Sequence, residues 1–501
     1  MKKHNLMSGA FVLSIGGVLA KLFSAVYRIA LTWILGGVGI GLYQLIFPIY
    51  SLCVVLATAG LPMAISKVIA KNKGSEVNVL KKCFLFTGVV ALVLALLLSL
   101  FSKGLAILQG EKQISTCYLI LAPTILLVSV TSVLRGYFQG KNNFIPSTIS
   151  NIAEQFVKLC VGLILSLSFI GVSLFAAIIG AVIGIVISEL VSIFILLIYI
   201  KKDKLNHNKK INLSLKEIAG DVLPITLTNI ILPISSFVDS ILVVNLLSNN
   251  FSQKVSVFLY GLERGAVSSL ISLPTIFSFA IASVILPNIT HEKHFFNKNK
   301  KLSFALKIVL IITVPCVICF ALIPHRLIDF LYGSRLNSFN INGLKVASKL
   351  LAWSGLGVVF LAINQIYSSC LQAIDYRYVG IRNLTIAVIA KFVIEIVFMP
   401  NKFLNIYSLA IANTLCYLLV MVLNHLEIRE HFKLRFNYTF TAKLVFANCL
   451  MLLSLVITMS VSKTPINTIF AILTAVIVYF VSLTKINIIN RTEKAIFKYK
   501  I

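Results

Sequence analysis

Near the start of the chain, Ser14, Gly17, Lys21, Ser24 and Arg28 are spaced three, four, three and four residues apart, so they share one face of a helix. The residues around them are apolar. A lysine and an arginine in such a segment face protein or water rather than hydrocarbon, and such residues mark functional paths. The chemistry they suit is anion binding, since a guanidinium offers two parallel N–H groups to one phosphate. Counting about 1.5 Å per residue from Gly9 puts Lys21 about 18 Å along the helix and Arg28 about 28 Å along. Lys21 is therefore the deeper anomaly. Arg28, between Tyr27 and Trp33, also fits an interfacial belt with a snorkelling arginine.

Comparable polar faces recur downstream. Asn151, Glu154, Gln155 and Lys158 form one, and Asn229, Pro233, Ser236, Asp239 and Ser240 another. Glu263, Arg264, Ser268 and Ser272 follow, then Asn364, Gln365, Ser368 and Gln372, then Lys391 and Glu395. Glu154–Lys158 and Lys391–Glu395 stand four residues apart, so each cation has a counter-ion one turn away. Interhelical hydrogen bonding accounts for those pairs as well as a functional role does. Lys21, Arg28 and Arg264 lack such a same-face partner. Lys67 lies near the end of its segment and can snorkel.

The elements that position these residues are membrane spans. The chain has 501 residues, 58% of them hydrophobic and 12% charged, against about 25% charged in soluble domains. Fourteen apolar segments are long enough to cross hydrocarbon about 30 Å thick. They cover residues 9–35, 42–70, 83–102, 115–137, 147–170, 172–200, 219–247, 255–287, 302–324, 346–372, 379–400, 404–425, 441–462 and 464–484. The first has basic flanks like a signal peptide but is too long and lacks a cleavage site, so it is expected to be retained. GGVGIG (36–41) has no GKS/T ending and reads as a tight external turn between the first two spans.

The net charge of +29 does not imply nucleic acid. With the N-terminus inside and span ends counted with the adjoining loops, 30 of the 45 Lys and Arg fall in cytoplasmic segments, nine in external loops and six in span interiors (Lys21, Arg28, Lys67, Lys158, Arg264, Lys391). That asymmetry sets orientation, and it places both termini in the cytoplasm. The inner clusters suit anionic headgroups of membrane lipids. The nine cysteines form no external framework, and Cys316-x-x-Cys319 lies in an apolar segment without metal-ligand partners.

Two overlays suggest a duplication. Residues 41–70 match 258–287 at an offset of 217, and Gln139 and Lys158 meet Gln372 and Lys391 at an offset of 233. A six-span unit repeats in parallel, which places a substrate site between lobes. The expected fold is an all-α polytopic membrane protein of about fourteen helices. An N-lobe takes residues 1–200, a basic cytoplasmic linker 201–218, a C-lobe 219–430, and two further helices with a cytoplasmic tail 431–501.

The segment YRIALTWILGGVGIGLYQLIFPIYSLCVVLATAGLPMAISKVIA, and later DVLPITLTNIILPISSFVDSILVVNLL, resemble the stage V sporulation protein B family. That family groups with polysaccharide exporters and MurJ-type lipid II flippases in the multidrug/oligosaccharidyl-lipid/polysaccharide exporter superfamily, whose drug-exporting members share its MATE-like fold. The resemblance implies a flippase, not an enzyme, in the bacterial cytoplasmic membrane. It would carry an undecaprenyl-pyrophosphate-linked saccharide outward by alternating access, lipid II before a capsule, teichoic or spore-cortex unit. It also implies that Arg28 and Arg264 line a cavity, to which the polar faces add Lys21, Lys67, Ser24 and Glu263 as candidates, while a span 2 arginine of MurJ-type proteins has no counterpart here. Asp239 and Asn383 take the places of sodium ligands, although Ala387 stands where a further one would be. No cofactor is expected beyond Na⁺ or H⁺ as a coupling ion. The expected partners are the lipid-linked oligosaccharide, membrane lipids and cell-wall synthases, with the chain itself a monomer. A cation-coupled drug exporter and a polyprenyl glycosyltransferase are the rival readings. The second lacks the external loop with paired carboxylates that such enzymes use.

Overall fold

The computed structural model describes residues 4–58, 60–71, 76–203, 215–290, 292, 294–433, 437–461 and 465–488. The basic linker falls largely outside them. The helices are α1 His4–Thr58, α2 Leu61–Lys71, α3 Glu76–Leu108, α4 Ser115–Gly140, α5 Ile145–Ile170, α6 Leu174–Lys202, α7 Leu215–Leu247 and α8 Gln253–Gly261. They continue as α9 Ser268–Thr290, α10 Phe295–Leu322, α11 Pro324–Tyr332, α12 Gly343–Ala373, α13 Arg377–Phe398, α14 Tyr407–His431, α15 Tyr438–Val461 and α16 Pro465–Lys485. Among the described residues the one β feature is a bridge between Ser338 and Ile341. Helices answer the demand of hydrocarbon that every backbone N–H and C=O be satisfied within the segment.

Among the described residues, twelve helical stretches are long and apolar enough to cross a membrane. The first of them, Val12–Ile69, runs 58 residues, enough for two crossings at about 20 residues each. α13 falls outside the twelve because any 18-residue window in it holds three of Arg377, Arg382, Lys391 and Glu395. With these two allowances the number of crossings is fourteen.

The expected turn at 36–41 is present but shorter, confined to Gly36. α1 is helical up to and beyond Gly36, which alone leaves helical geometry at φ 64°, ψ −172°, a region essentially reserved for glycine. Tyr27 and Tyr43 show how sharp the break is. Sixteen residues apart, they would be about 24 Å apart along a straight helix, yet their hydroxyls are 3.2 Å apart. One residue therefore folds α1 back on itself, and residues 37–41 begin the returning helix.

Two compact units divide the chain. The first comprises residues 1–269 and 392–409. In it, α2, α3, α4 and α6 share a core of Leu61, Ile65, Val79, Leu134, Phe138 and Leu196. The returning arm of α1 crosses α8 at glycines on both sides. A Cβ on Gly41 would lie 2.3 Å from the Val257 carbonyl oxygen, and one on Gly261 would lie 2.5 Å from that of Gly37, so backbones touch where side chains are missing. Gln109 is fully buried and ties four helices. Its amide donates to the Leu45 carbonyl (2.9 Å) and to Ser240 Oγ (2.7 Å), while its oxygen accepts from the Tyr118 hydroxyl. The end of α6 is held by Asp203, which accepts from Tyr137 and Lys141, both at 3.0 Å.

The second unit comprises residues 270–391 and 410–501. One core joins α9, α10, α12 and α14 around Ile285, Val309, Ile366 and Ile428. Another joins α10, α15 and α16 around Ile311, Leu444, Met451 and Tyr479. α11 is too short to span and precedes the loop 333–342.

Candidate functional site

The hairpin of α1 sets Lys21, Ser24 and Arg28 on its first arm, all half-buried, beside the buried Tyr27. α5 packs along this arm. Phe23 and Phe156 meet edge to face at 5.6 Å, and Lys158 Nζ stands 5.7 Å from the centre of the Tyr27 ring, a cation–π arrangement. The Arg28 charge acts electrostatically on both Tyr43 and Lys158. Thus two cations that sequence placed on different spans, Arg28 and Lys158, belong to one group.

Glu154 does not take Lys158 as its partner. Its Oε2 forms a salt bridge at 2.7 Å with Arg135 of α4, and Lys158 instead donates to Gln155 Oε1, while Gln155 Nε2 donates to Glu154 Oε1 at 2.7 Å. Arg135 also donates to Ser150 Oγ (3.1 Å) and Ser192 Oγ (2.9 Å). Arg135 is not among the cations that the sequence singles out, because it lies near the end of its helix. Its guanidinium in fact points into the bundle, where four groups from α5 and α6 hold it or its neighbour carboxylate. Ser147, Ser150 and Ser192, all small and nearly fully buried, were the available signal. A second carboxylate, Glu189, faces the same group from α6.

A separate group forms around Arg264. α8 ends in a π-helical turn, Leu262–Val267, a local widening common at functional positions. It places consecutive Glu263 and Arg264 beside α7. Arg264 bonds Asp239, which is 1% exposed on its side chain, and lies 3.3 Å from Glu263 Oε2. The residue expected to hold an anion and the residue expected to hold sodium are therefore bonded to each other. Glu395 of α13, fully buried, acts electrostatically on Tyr260 together with Arg264, Asp239 and Glu263.

In the second unit Asn383 is buried in a chain of amides. Its Nδ2 donates to Asn424 Oδ1 (2.9 Å), whose own Nδ2 donates to Asn364 Oδ1 (2.7 Å). Asn383 Oδ1 accepts from Arg382 at 3.2 Å, and Arg382 also pairs with Glu427. The oxygen that a cation would need is thus occupied by a guanidinium. Lys391 is buried on the same helix, and Lys67 is exposed on α2. Among the described residues no cluster of three or more His, Cys, Asp or Glu is arranged to hold a metal ion, and all nine cysteines are free thiols.

A chain of apolar helices, long enough for fourteen crossings, with ionisable groups held inside its bundle, is a multi-pass membrane protein of transporter architecture. It belongs to the polysaccharide biosynthesis protein family, whose profile matches residues 6–293. Three Bacillus subtilis (strain 168) proteins are similar over most of their length. An uncharacterized membrane protein, YabM, is 29% identical over 86% of this chain and 81% of its own. Stage V sporulation protein B is 25% identical over 85% and 83%, and lipid II flippase MurJ is 24% identical over 85% and 83%. Among solved structures, lipid II flippase MurJ in an inward closed conformation aligns with TM-score 0.70 at 19% identity, over 96% of this chain and 98% of that one. An inward-facing MATE family multidrug transporter of the MOP superfamily aligns with TM-score 0.64 at 15% identity, over 86% and 94%. The fold is therefore that of MOP-superfamily transporters.

Proposed function

We propose that this protein is a flippase that carries a lipid-linked saccharide, lipid II before other polyprenyl-linked units, across the bacterial cytoplasmic membrane. The observation that carries the reading is the group around Arg28. Arg28, Arg135 and Lys158 set three cations against Glu154 and Glu189 inside a bundle of apolar helices. An excess of positive charge in such a place is stabilised by an anion, and a pyrophosphate supplies at least two charges at the end of a polyprenyl chain. The serines and amides alongside suit the hydroxyls of a glycan, and the tail can stay in lipid. Similarity to stage V sporulation protein B and to lipid II flippase MurJ supports the same cargo class.

Arg264 enters this reading in a changed role. Held by Asp239, it becomes available to a phosphate only when that bond opens, so headgroup binding and release of Asp239 are competing events. The test is complementation of a strain depleted of its lipid II flippase, with membrane levels checked by immunoblot. Arg28→Ala and Arg135→Ala are expected to abolish rescue at normal protein levels, and rescue by both variants would overturn the assignment. Exposure of lipid II on the outer leaflet, measured in rescued cells, distinguishes lipid II from another polyprenyl-linked unit.

A further inference from the structure

Glu189 is the one buried acid near the Arg28 group whose chemistry the anion site leaves unexplained. It is 6% exposed, and its Oε2 has no hydrogen-bond partner. Thr131 of α4 stands beside it, and its single hydroxyl proton is shared between Glu189 and the Val128 carbonyl at 2.9 Å. Ser192, one turn further along α6, accepts from Arg135. The charged and titratable groups facing Glu189 are Arg135 from α4, Glu154 and Lys158 from α5, and Tyr50 from α1. Arg28, like Glu189, acts on Lys158. Arg135, its natural counter-ion, is already bonded to Glu154, Ser150 and Ser192.

A buried carboxylate oxygen without a donor is costly, and a neutral carboxyl in the same place costs less. We propose that Glu189 is a proton-binding site linked to the Arg135–Glu154 salt bridge. The proton comes from water and returns to water: Glu189–COOH gives Glu189–COO⁻ and H⁺, with no other bond made or broken. Once the proton leaves, the second carboxylate competes for Arg135, and the guanidinium must loosen its hold on α5 to reach α6. Proton occupancy is thereby tied to the arrangement of α4, α5 and α6. It also raises the charge of the Arg28 group by one, so an anion bound there favours the protonated form, and protonation favours the anion. This last link rests on the transport reading, whereas the proton site does not.

The test is infrared difference spectroscopy on the purified full-length protein in lipid, titrated with pH. Wild type is expected to show a protonated-carboxyl C=O band that Glu189→Gln removes and Glu189→Asp retains at a displaced position. Glu154→Gln leaves Arg135 free to pair with Glu189 and is expected to lower the titration midpoint of that band by about one to three pH units. Identical wild-type and Glu189→Gln spectra at all pH values, with both proteins monodisperse, would overturn the site. An unchanged midpoint in Glu154→Gln would overturn the link to Arg135. A variant set that behaves as expected in the infrared while flipping no lipid II counts against the transport reading and leaves the proton site standing.

Discussion

Asp239 and Arg264 are bonded across α7 and α8, and Glu263 stands beside them. Removing one partner of a buried pair leaves an uncompensated charge, which costs about 3–5 kcal/mol, whereas neutralising both is often tolerated. Arg264→Met is therefore expected to lower the unfolding temperature in detergent, and Asp239→Asn combined with Arg264→Met to recover part of the loss. A double variant no more stable than Arg264→Met alone would show that the two do not act as a pair. Most residues of both groups were legible in sequence as polar positions on apolar helices, Arg135 and Glu189 excepted, but their pairings were not. Spacing along one helix shows only neighbours one turn away, so Lys158 was the visible partner for Glu154. The actual partner, Arg135, comes from a different helix, and that choice depends on how α4 and α5 pack. The same limit hid Gln109, whose four-helix role follows from contacts 64 and 131 residues distant.

Helices were the most legible feature, because runs of apolar residues report directly on the length needed to cross hydrocarbon. Their ends and breaks were less so. A glycine-rich stretch looks the same whether it is a loop or a close crossing, and 37–41 is the second kind. Gly36→Ala places a Cβ at φ 64° and is expected to destabilise by about 1–3 kcal/mol. Gly261→Leu drives a side chain into the backbone of Gly37 and Gly41, with a penalty of similar size or larger. Both read out as lower unfolding temperatures in detergent, and a Gly261→Leu protein as stable as wild type would remove the α1–α8 crossing from the account. The start of α10 offers a pH test. Glu292 accepts from the His294 backbone N–H and from Lys301 at 2.7 Å, and Lys301 holds its carboxyl down to about 2. A carboxyl lowered by folding contributes above its unfolded value, and the contribution is lost as pH falls toward the folded one. Pepsin cleavage at the start of α10 should therefore rise between about pH 4 and pH 2 in wild type, relative to Glu292→Gln, which is expected to be equally open across that window.

At the scale of the molecule, the duplication expected from sequence and the observed packing divide the chain along different lines. The repeat reading assigns α7 and α8 to a second lobe, whereas Gln109–Ser240, and Asn245 donating to the Leu108 carbonyl at 2.9 Å, bind α7 to the end of α3. Those contacts join the segment before the basic linker to the segment after it, so they must break if the two six-helix lobes rock apart. Orientation is the part of this picture that basic loops alone support, and it can be tested at one loop. Residues 399–406 connect α13 to α14, and Phe403 is 91% exposed. Fourteen crossings with both termini inside put this loop outside and the 374–376 connection inside. Alkaline phosphatase fused after Phe403 is expected to be active and the same enzyme fused after Asp375 inactive, while a fluorescent protein at the C-terminus should fold and emit. The reverse pattern at 403 and 375 would invert the topology. It would then place Arg135 toward the outer face and make the proposed direction of transport incompatible with the charge on the loops.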